Sequence, residues 1–260
     1  MGLKTGSIST GSKEATLSGF EILKAGGNAF DAGIAAVFCS MISEYCLTGV
    51  GGGGSILVCP NNKSNLLYDC FVQTATIHDI NKLEFIKKVV DFGDTQQVFH
   101  IGKGSAAIPG TLAGLLKVHQ DFGRLPLSEI LFPAINLAKS GVKINGSQSY
   151  IIKILEPILN HSSDSRKLFY KNGNILSEGD TFSNIDFGNF LELISKYGAD
   201  YFYKGDIADV IDDLFKDEGI INKKSLSDYN VEIRKPIELN YRNHTILTNP
   251  APSMGGSLIL

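Results

Sequence analysis

The stretch Thr48-Gly49-Val50-Gly51-Gly52-Gly53-Gly54-Ser55 sets the organisation of this chain, because five of its eight residues are glycine. Each glycine inside a helix costs about 1 kcal/mol relative to alanine, so the run does not continue a helix. Glycine also tolerates positive φ and the close approach of other atoms. The flanking segments are apolar, which indicates a tight passage between two packed elements. We expect a buried packing turn, and the alternative is a backbone lining of a reactive centre.

Two helices are predicted before the glycine run. Ser12 can cap the first helix, and Gly26-Gly27 ends it. Asn28 can cap the second helix, with Asp31 placed favourably against its N-terminal dipole. Residues 32–42 are apolar almost all round, which is typical of a helix that is buried on most sides. This buried helix leads directly into the glycines.

Two strands joined by a polar turn are predicted after the glycines, at residues 55–59 and 65–71. Residues 76–103 are charged and uneven, so we expect a surface excursion there. Further helices are predicted at residues 110–122, 125–139, 148–160, 187–197 and 206–216, and strands at residues 237–240 and 245–247. This order of elements favours the α+β class over regular βαβ winding.

The chain ends on the apolar run Ser257-Leu258-Ile259-Leu260, which is strand-like. No polar tail follows it, although folded chains usually end at the surface. We therefore expect the sequence to stop within a domain.

Composition argues against several classes of function. The 260 residues carry a net charge of −3, so no basic field is present to bind nucleic acid through phosphate contacts. No apolar run reaches the length of about 18 residues that a membrane span needs, and the N-terminus has no signal-peptide pattern. If Met1 is the true start, we expect a cytoplasmic protein without a nucleic-acid or membrane partner. The four cysteines are expected to be buried reduced thiols: Cys39, Cys46, Cys59 and Cys70.

Spacing alone identifies no catalytic set. The five histidines, at positions 78, 100, 119, 161 and 244, share no metal-ligand spacing, so neither a metal site nor a cofactor is predicted. The glycine run lacks the Lys-Ser/Thr of a phosphate-binding loop, and it follows a helix where a dinucleotide-binding run follows a strand. Ser55 and Ser253 lie beside glycines, but nothing near them in the sequence supplies a base.

Many short motifs occur in a fixed order along the chain. The first two are Gly26-Gly27-Asn28-Ala29-Phe30-Asp31-Ala32 and Gly49-Val50-Gly51-Gly52-Gly53-Gly54. The later ones are Ile108-Pro109-Gly110, Phe122-Gly123-Arg124-Leu125-Pro126, Pro133-Ala134-Ile135, Phe202-Tyr203-Lys204-Gly205, Leu226-Ser227-Asp228-Tyr229 and the closing residues 250–256. From about residue 6 to the last residue, this series resembles the gamma-glutamyltranspeptidase family.

This resemblance implies the N-terminal-nucleophile (Ntn) hydrolase fold, a four-layer αββα sandwich of the α+β class. It also implies that residues 1–260 are a large-subunit-like region that ends before the small subunit. The family precursor cleaves itself, and the threonine at the new N-terminus becomes the nucleophile, with its own α-amine as the base. That threonine lies beyond Gly256, so no catalytic residue is predicted in this chain. The expected partners are its own small subunit and a small-molecule amide substrate.

One substrate contact of the large subunit can be compared directly. The family carries an Asp-x-Arg-Glu-x-Ala-Pro-like stretch, whose arginine clamps the α-carboxylate of the gamma-glutamyl group. The matching stretch here is Asp69-Cys70-Phe71-Val72-Gln73-Thr74-Ala75, with Phe71 at the arginine position. Phe71 and Gln73 are the predicted substrate-binding residues, and the phenylalanine predicts a preference for groups that lack this carboxylate. Alternatively, Phe71 faces the core and another basic residue supplies the clamp.

The predicted function is therefore that of a gamma-glutamyltranspeptidase-like amidohydrolase or acyltransferase, which hydrolyses or transfers gamma-glutamyl groups of glutathione-type donors or related acyl groups. A first alternative is a non-catalytic binding or scaffold protein with the same fold. A second is a nucleotide-binding protein that uses the glycine run. A threonine that opens a family-like small subunit downstream of Leu260 distinguishes the enzyme from the scaffold.

Overall fold

The computed structural model describes residues 6–76 and 80–259, which form twelve α-helices and eleven β-strands. The helices are α1 (Lys13–Lys24), α2 (Ala29–Ser43), α3 (Thr111–Phe122), α4 (Leu127–Ser140), α5 (Gly146–Ile154), α6 (Glu156–Leu159), α7 (Ser163–Phe169), α8 (Ile185–Tyr197), α9 (Ala199–Tyr203), α10 (Asp206–Phe215), α11 (Lys223–Ser227) and α12 (Met254–Ile259). The strands are β1 (Gly54–Val58), β2 (Leu66–Cys70), β3 (Ile86–Asp91), β4 (Gln96–Ile101), β5 (Val142–Lys143), β6 (Tyr170–Lys171), β7 (Asn174–Ile175), β8 (Thr181–Phe182), β9 (Glu232–Arg234), β10 (Ile237–Tyr241) and β11 (His244–Thr248). The helices and strands predicted from the sequence are confirmed, except that residues 148–160 contain two helices, α5 and α6.

The predicted caps of the first two helices are confirmed. The hydroxyl of Ser12 accepts a hydrogen bond from the Ala15 amide at the start of α1. Asn28 forms a capping box with Asp31: its side chain accepts the Asp31 amide at 3.0 Å, and its own amide donates to the Asp31 carboxylate at 2.9 Å. These bonds satisfy donors that a helix N-terminus otherwise leaves free.

Asp31 also joins the start of α2 to the end of α3. Its side chain is fully buried, and its carboxylate accepts the backbone amides of Arg124 at 3.0 Å and Leu125 at 3.4 Å. The side-chain amide of Asn28 donates to the Phe122 carbonyl at 2.7 Å. A buried carboxylate is stable only when such donors surround it. The two motifs that begin at Gly26 and Phe122 therefore meet at one buried anion.

The central sheet has the strand order β1-β2-β9, and both pairings are antiparallel. Helices α2 and α3 cover one face of the sheet. The core between them contains Phe38, Tyr68 and Leu112, none of which is more than 1 % exposed. Each large apolar side chain buried in this way stabilises the fold by about 1.5–3 kcal/mol. The other face leaves apolar surface exposed, for example at Leu57.

The glycine run is not the buried packing turn that the sequence predicts. Gly51 and Gly53 are exposed, and the other three glycines are half-buried. None of the five has a positive φ. The run instead supports its neighbours: the Gly52 carbonyl accepts the amides of Gly110 at 2.9 Å and Thr111 at 3.1 Å, so it caps the N-terminus of α3. The two exposed glycines flank Gly52, which makes these bonds and is itself half-buried.

Close approach is needed at one position of the run, Gly53. A Cβ atom there would lie 2.5 Å from the Val72 nitrogen and 2.9 Å from the Cys70 carbonyl oxygen. We expect Gly53→Ala to lower the free energy of unfolding by about 1–3 kcal/mol, because neither backbone atom can move easily. Urea unfolding measures this change. Gly51→Ala is the matched control, since no atom lies within 4 Å of its Cβ position. Equal unfolding midpoints for the two variants would contradict the prediction.

The surface position predicted for residues 76–103 is confirmed for residues 86–101, which form the regular and largely exposed β3–β4 hairpin; residues 77–79 lie outside the described part. Two further expectations from the sequence are wrong. The predicted strand-like end is helical through Ile259, in α12. The four cysteines are unpaired as predicted, but Cys59 is exposed and Cys46 is half-buried. Cys59 lies directly after β1, where its side chain points away from the helices.

In residues 6–76 and 80–259, no helix combines the length and the apolar character that crossing a membrane requires.

Candidate functional site

Phe71 lies directly after β2, at the edge of a cavity of about 400 Å³. Its ring is 61 % exposed, so the alternative that Phe71 faces the core is wrong. One wall of the cavity comes from the central sheet and includes Ser55, Asp69 and Phe71. The opposite wall comes from the segment before and at the start of α12, where Asn249, Pro250, Pro252, Ser253 and Met254 line the cavity.

The register of the sheet brings the first wall together. Ser55 on β1 pairs with Asp69 on β2. Asp69 and Phe71 are two residues apart, so both side chains lie on the face of the strand that is opposite the helices. The Phe71 amide also donates to the Asp69 carboxylate at 3.2 Å. The same strand thus places an apolar ring and a carboxylate side by side.

Arg234 on β9 neutralises the carboxylate in this wall. Its guanidinium donates to the Asp69 carboxylate at 2.8 Å, and a second nitrogen donates to the Ala251 carbonyl at 2.8 Å. Among the described residues that line the cavity, Asp69 is the only ionisable one. The cavity surface beside Phe71 is therefore apolar and uncharged overall, which suits an uncharged acyl group better than a free carboxylate.

Two buried tyrosines hold the backbone near Phe71. The Tyr229 hydroxyl donates to the Phe71 carbonyl at 2.9 Å, and the Tyr203 hydroxyl donates to the Pro109 carbonyl at 2.8 Å. Their rings stack, with centroids 5.7 Å apart. Burial raises the pKa of both hydroxyls well above the ordinary tyrosine value, so both remain donors at neutral pH. The position of Phe71 is consequently set by the core beneath it.

Gln73 is placed differently from Phe71. Its backbone forms an isolated β-bridge with Ile108, through hydrogen bonds of 3.2 and 2.8 Å. Its side chain is exposed and does not line the cavity. The structure therefore does not bring the two predicted substrate-binding residues together in one cavity, and their roles stay predictions.

The sequence interpretation missed Arg234 and Tyr229. Their partners Asp69 and Phe71 lie 165 and 158 residues away in the chain, so no local pattern connects them. Tyr229 and residues 250–254 carried a signal, because they fall in two motifs of the resemblance. The sequence offers Ser253 as a nucleophile without a base, and the structure places it in the cavity wall.

The described part of the chain forms neither a metal site nor a phosphate-binding loop. No group of three or more His, Cys, Asp or Glu residues there could hold a metal ion, and His78 lies outside that part. The Nε2 atom of His119 lies 2.9 Å from the Leu125 carbonyl oxygen, at hydrogen-bond distance. The glycine run leads into β1 and not into a helix, so it lacks the helix N-terminus that phosphate-binding loops use.

Comparisons with known proteins agree with the resemblance. The sequence profile described as gamma-glutamyltranspeptidase matches residues 15–260. The capsule biosynthesis protein CapD proenzyme of Bacillus anthracis is 31 % identical over 93 % of this chain and 40 % of its own length. The glutathione hydrolase proenzyme of Bacillus subtilis is 31 % identical over 99 % of this chain and 43 % of its own length. The chain thus spans about two-fifths of the length of these relatives.

The fold is shared with a solved structure. The crystal structure of Helicobacter pylori gamma-glutamyltranspeptidase superimposes with a TM-score of 0.86, at 30 % sequence identity, and the match covers 100 % of this chain and 74 % of that chain. This likeness confirms the α+β Ntn-hydrolase fold that the resemblance implies. On the profile match and the shared fold, the chain belongs to the gamma-glutamyltranspeptidase family.

Proposed function

We propose that this chain is the large-subunit part of an Ntn amidohydrolase or acyltransferase that acts on gamma-glutamyl groups or related amides. The observation that carries the proposal is the family match over residues 15–260, together with the cavity beside Phe71. The name of one relative, glutathione hydrolase, supports hydrolysis of a glutathione-type donor.

The nucleophile is proposed to come from outside residues 1–260. The hydroxyl of a threonine at a newly formed N-terminus is activated by its own α-amine, which requires cleavage of the precursor. The word proenzyme in the names of both relatives supports such a cleavage here. In this proposal, residues 1–260 bind the acyl part of the substrate, and their own small subunit supplies the chemistry. The chain alone is then inactive.

The proposed substrates carry an acyl group without a free α-carboxylate. Phe71 offers apolar surface where the family places a carboxylate-binding arginine, and Arg234 is already paired with Asp69. A free carboxylate beside the ring would lose water without gaining a partner. Gln73 is proposed to contact the substrate from outside the cavity, where its exposed side chain projects from a backbone held by Ile108.

The test begins with the complete reading frame that contains this chain. We expect the expressed protein to split into two pieces, the smaller of which starts with threonine in N-terminal sequencing. Replacing that threonine with alanine is expected to abolish both the splitting and the turnover of acyl-p-nitroanilides. A reading frame without such a threonine would overturn the proposal and leave the non-catalytic binding or scaffold protein.

A further inference from the structure

The two walls of the cavity beside Phe71 come from distant parts of the chain, and a single side chain joins them. The Arg234 guanidinium donates to Asp69 in the sheet wall and to the Ala251 carbonyl in the opposite wall, both at 2.8 Å. Within residues 6–76 and 80–259, this is the only hydrogen bond that connects residues 249–253 to the central sheet. The attachment of that wall therefore depends on Arg234.

The geometry uses a property that arginine alone has. A guanidinium is planar and presents its donors at fixed angles, so it can bind two acceptors that lie in different elements. The Arg234 and Asp69 side chains are 30 % and 23 % exposed, so water screens the pair only partly. Lysine could keep the bond to Asp69, but its single ammonium cannot reproduce the fork.

We propose that Arg234 is a positioning residue of the acyl site: it holds residues 249–253 against Asp69 and thereby sets the width of the cavity beside Phe71. The assignment of the cavity to an acyl group rests on the proposed function. The attachment of the wall does not depend on that function. The two statements are therefore tested by separate measurements.

Hydrogen–deuterium exchange tests the attachment. In Arg234→Lys we expect the amide of Ser253, which is bonded to the Pro250 carbonyl, to exchange about tenfold faster than in the wild type, because the hydrogen bond between this segment and a charged group is lost. Asp69→Asn, which weakens the pair but keeps its shape, is expected to act in the same direction. Arg166→Lys is the matched control, because the Arg166 guanidinium also binds a backbone carbonyl, that of Asn160, at 2.7 Å. Amides of the β10–β11 hairpin serve as the internal reference.

Kinetics of the complete enzyme test the role in substrate binding. Arg234→Lys is expected to raise KM for an acyl-p-nitroanilide about tenfold and to leave kcat within about twofold, because the wall contacts the acyl group and not the reacting carbonyl. Unchanged exchange at the Ser253 amide, or faster exchange throughout the protein, would overturn the proposal. An equal fall in kcat and kcat/KM would also overturn it. If the wild type turns over no donor, the proposed function fails, and the exchange result still decides on Arg234.

Discussion

Asp31→Asn is expected to lower the free energy of unfolding by about 3–5 kcal/mol, which is a large part of the stability of an ordinary domain. Three backbone amides, those of Asn28, Arg124 and Leu125, donate to this fully buried carboxylate. Hydrogen bonds to a charged group contribute about 1.5–3 kcal/mol each. An asparagine has the same shape, but one carboxylate oxygen is replaced by an NH2 group. This group is itself a donor, so some of the backbone amides would face it without an acceptor. Urea unfolding with an unchanged m-value measures the loss.

Asp186→Asn is the matched control for this experiment. Asp186 also lies in the first turn of a helix, α8, but its side chain is exposed. Its interactions with the helix dipole and with the charge of Lys167 are lost, at a cost of about 0.3–1 kcal/mol. If Asp31→Asn and Asp186→Asn lower the free energy of unfolding by similar amounts, the hydrogen bonds that join the two motifs at Asp31 do not stabilise the fold.

Phe71→Arg is expected to raise kcat/KM for gamma-glutamyl-p-nitroanilide by about 10- to 100-fold relative to butyryl-p-nitroanilide, which lacks the α-amino and α-carboxylate groups. A charge-assisted bond to the α-carboxylate contributes about 1.5–3 kcal/mol, and each 1.4 kcal/mol corresponds to a factor of ten. The wild type is expected to prefer the butyryl donor. The measurement is kcat/KM for both donors with the complete, processed enzyme.

Phe132→Arg controls for the added charge. Phe132 lies on α4 and is 60 % exposed, almost the same as Phe71, but it does not line the cavity. Phe71→Leu removes the ring and keeps the site apolar, so it is expected to keep the preference for the butyryl donor. A wild-type enzyme that already prefers the gamma-glutamyl donor, with no gain in Phe71→Arg, would show that Phe71 is not at the carboxylate site.

The elements that depend on neighbouring residues could be predicted from the sequence. The caps at Ser12 and Asn28 were predictable because a cap bonds to amides two or three residues along the chain. The hairpin of β1 and β2 was predictable because apolar runs flank a polar turn. The motif series identified the family and its fold, since many independent segments in one order are not produced by a shared composition.

How those elements form a site depends on contacts between distant parts of the chain. The Gly52 carbonyl binds amides at the start of α3, some sixty positions later in the chain. The support of Phe71 by Tyr229, and the pairing of Asp69 with Arg234, join residues that have no common local pattern. The environment of a side chain is set by the residues that pack against it. For Phe71 and Asp69, those residues lie more than 150 positions away in the chain.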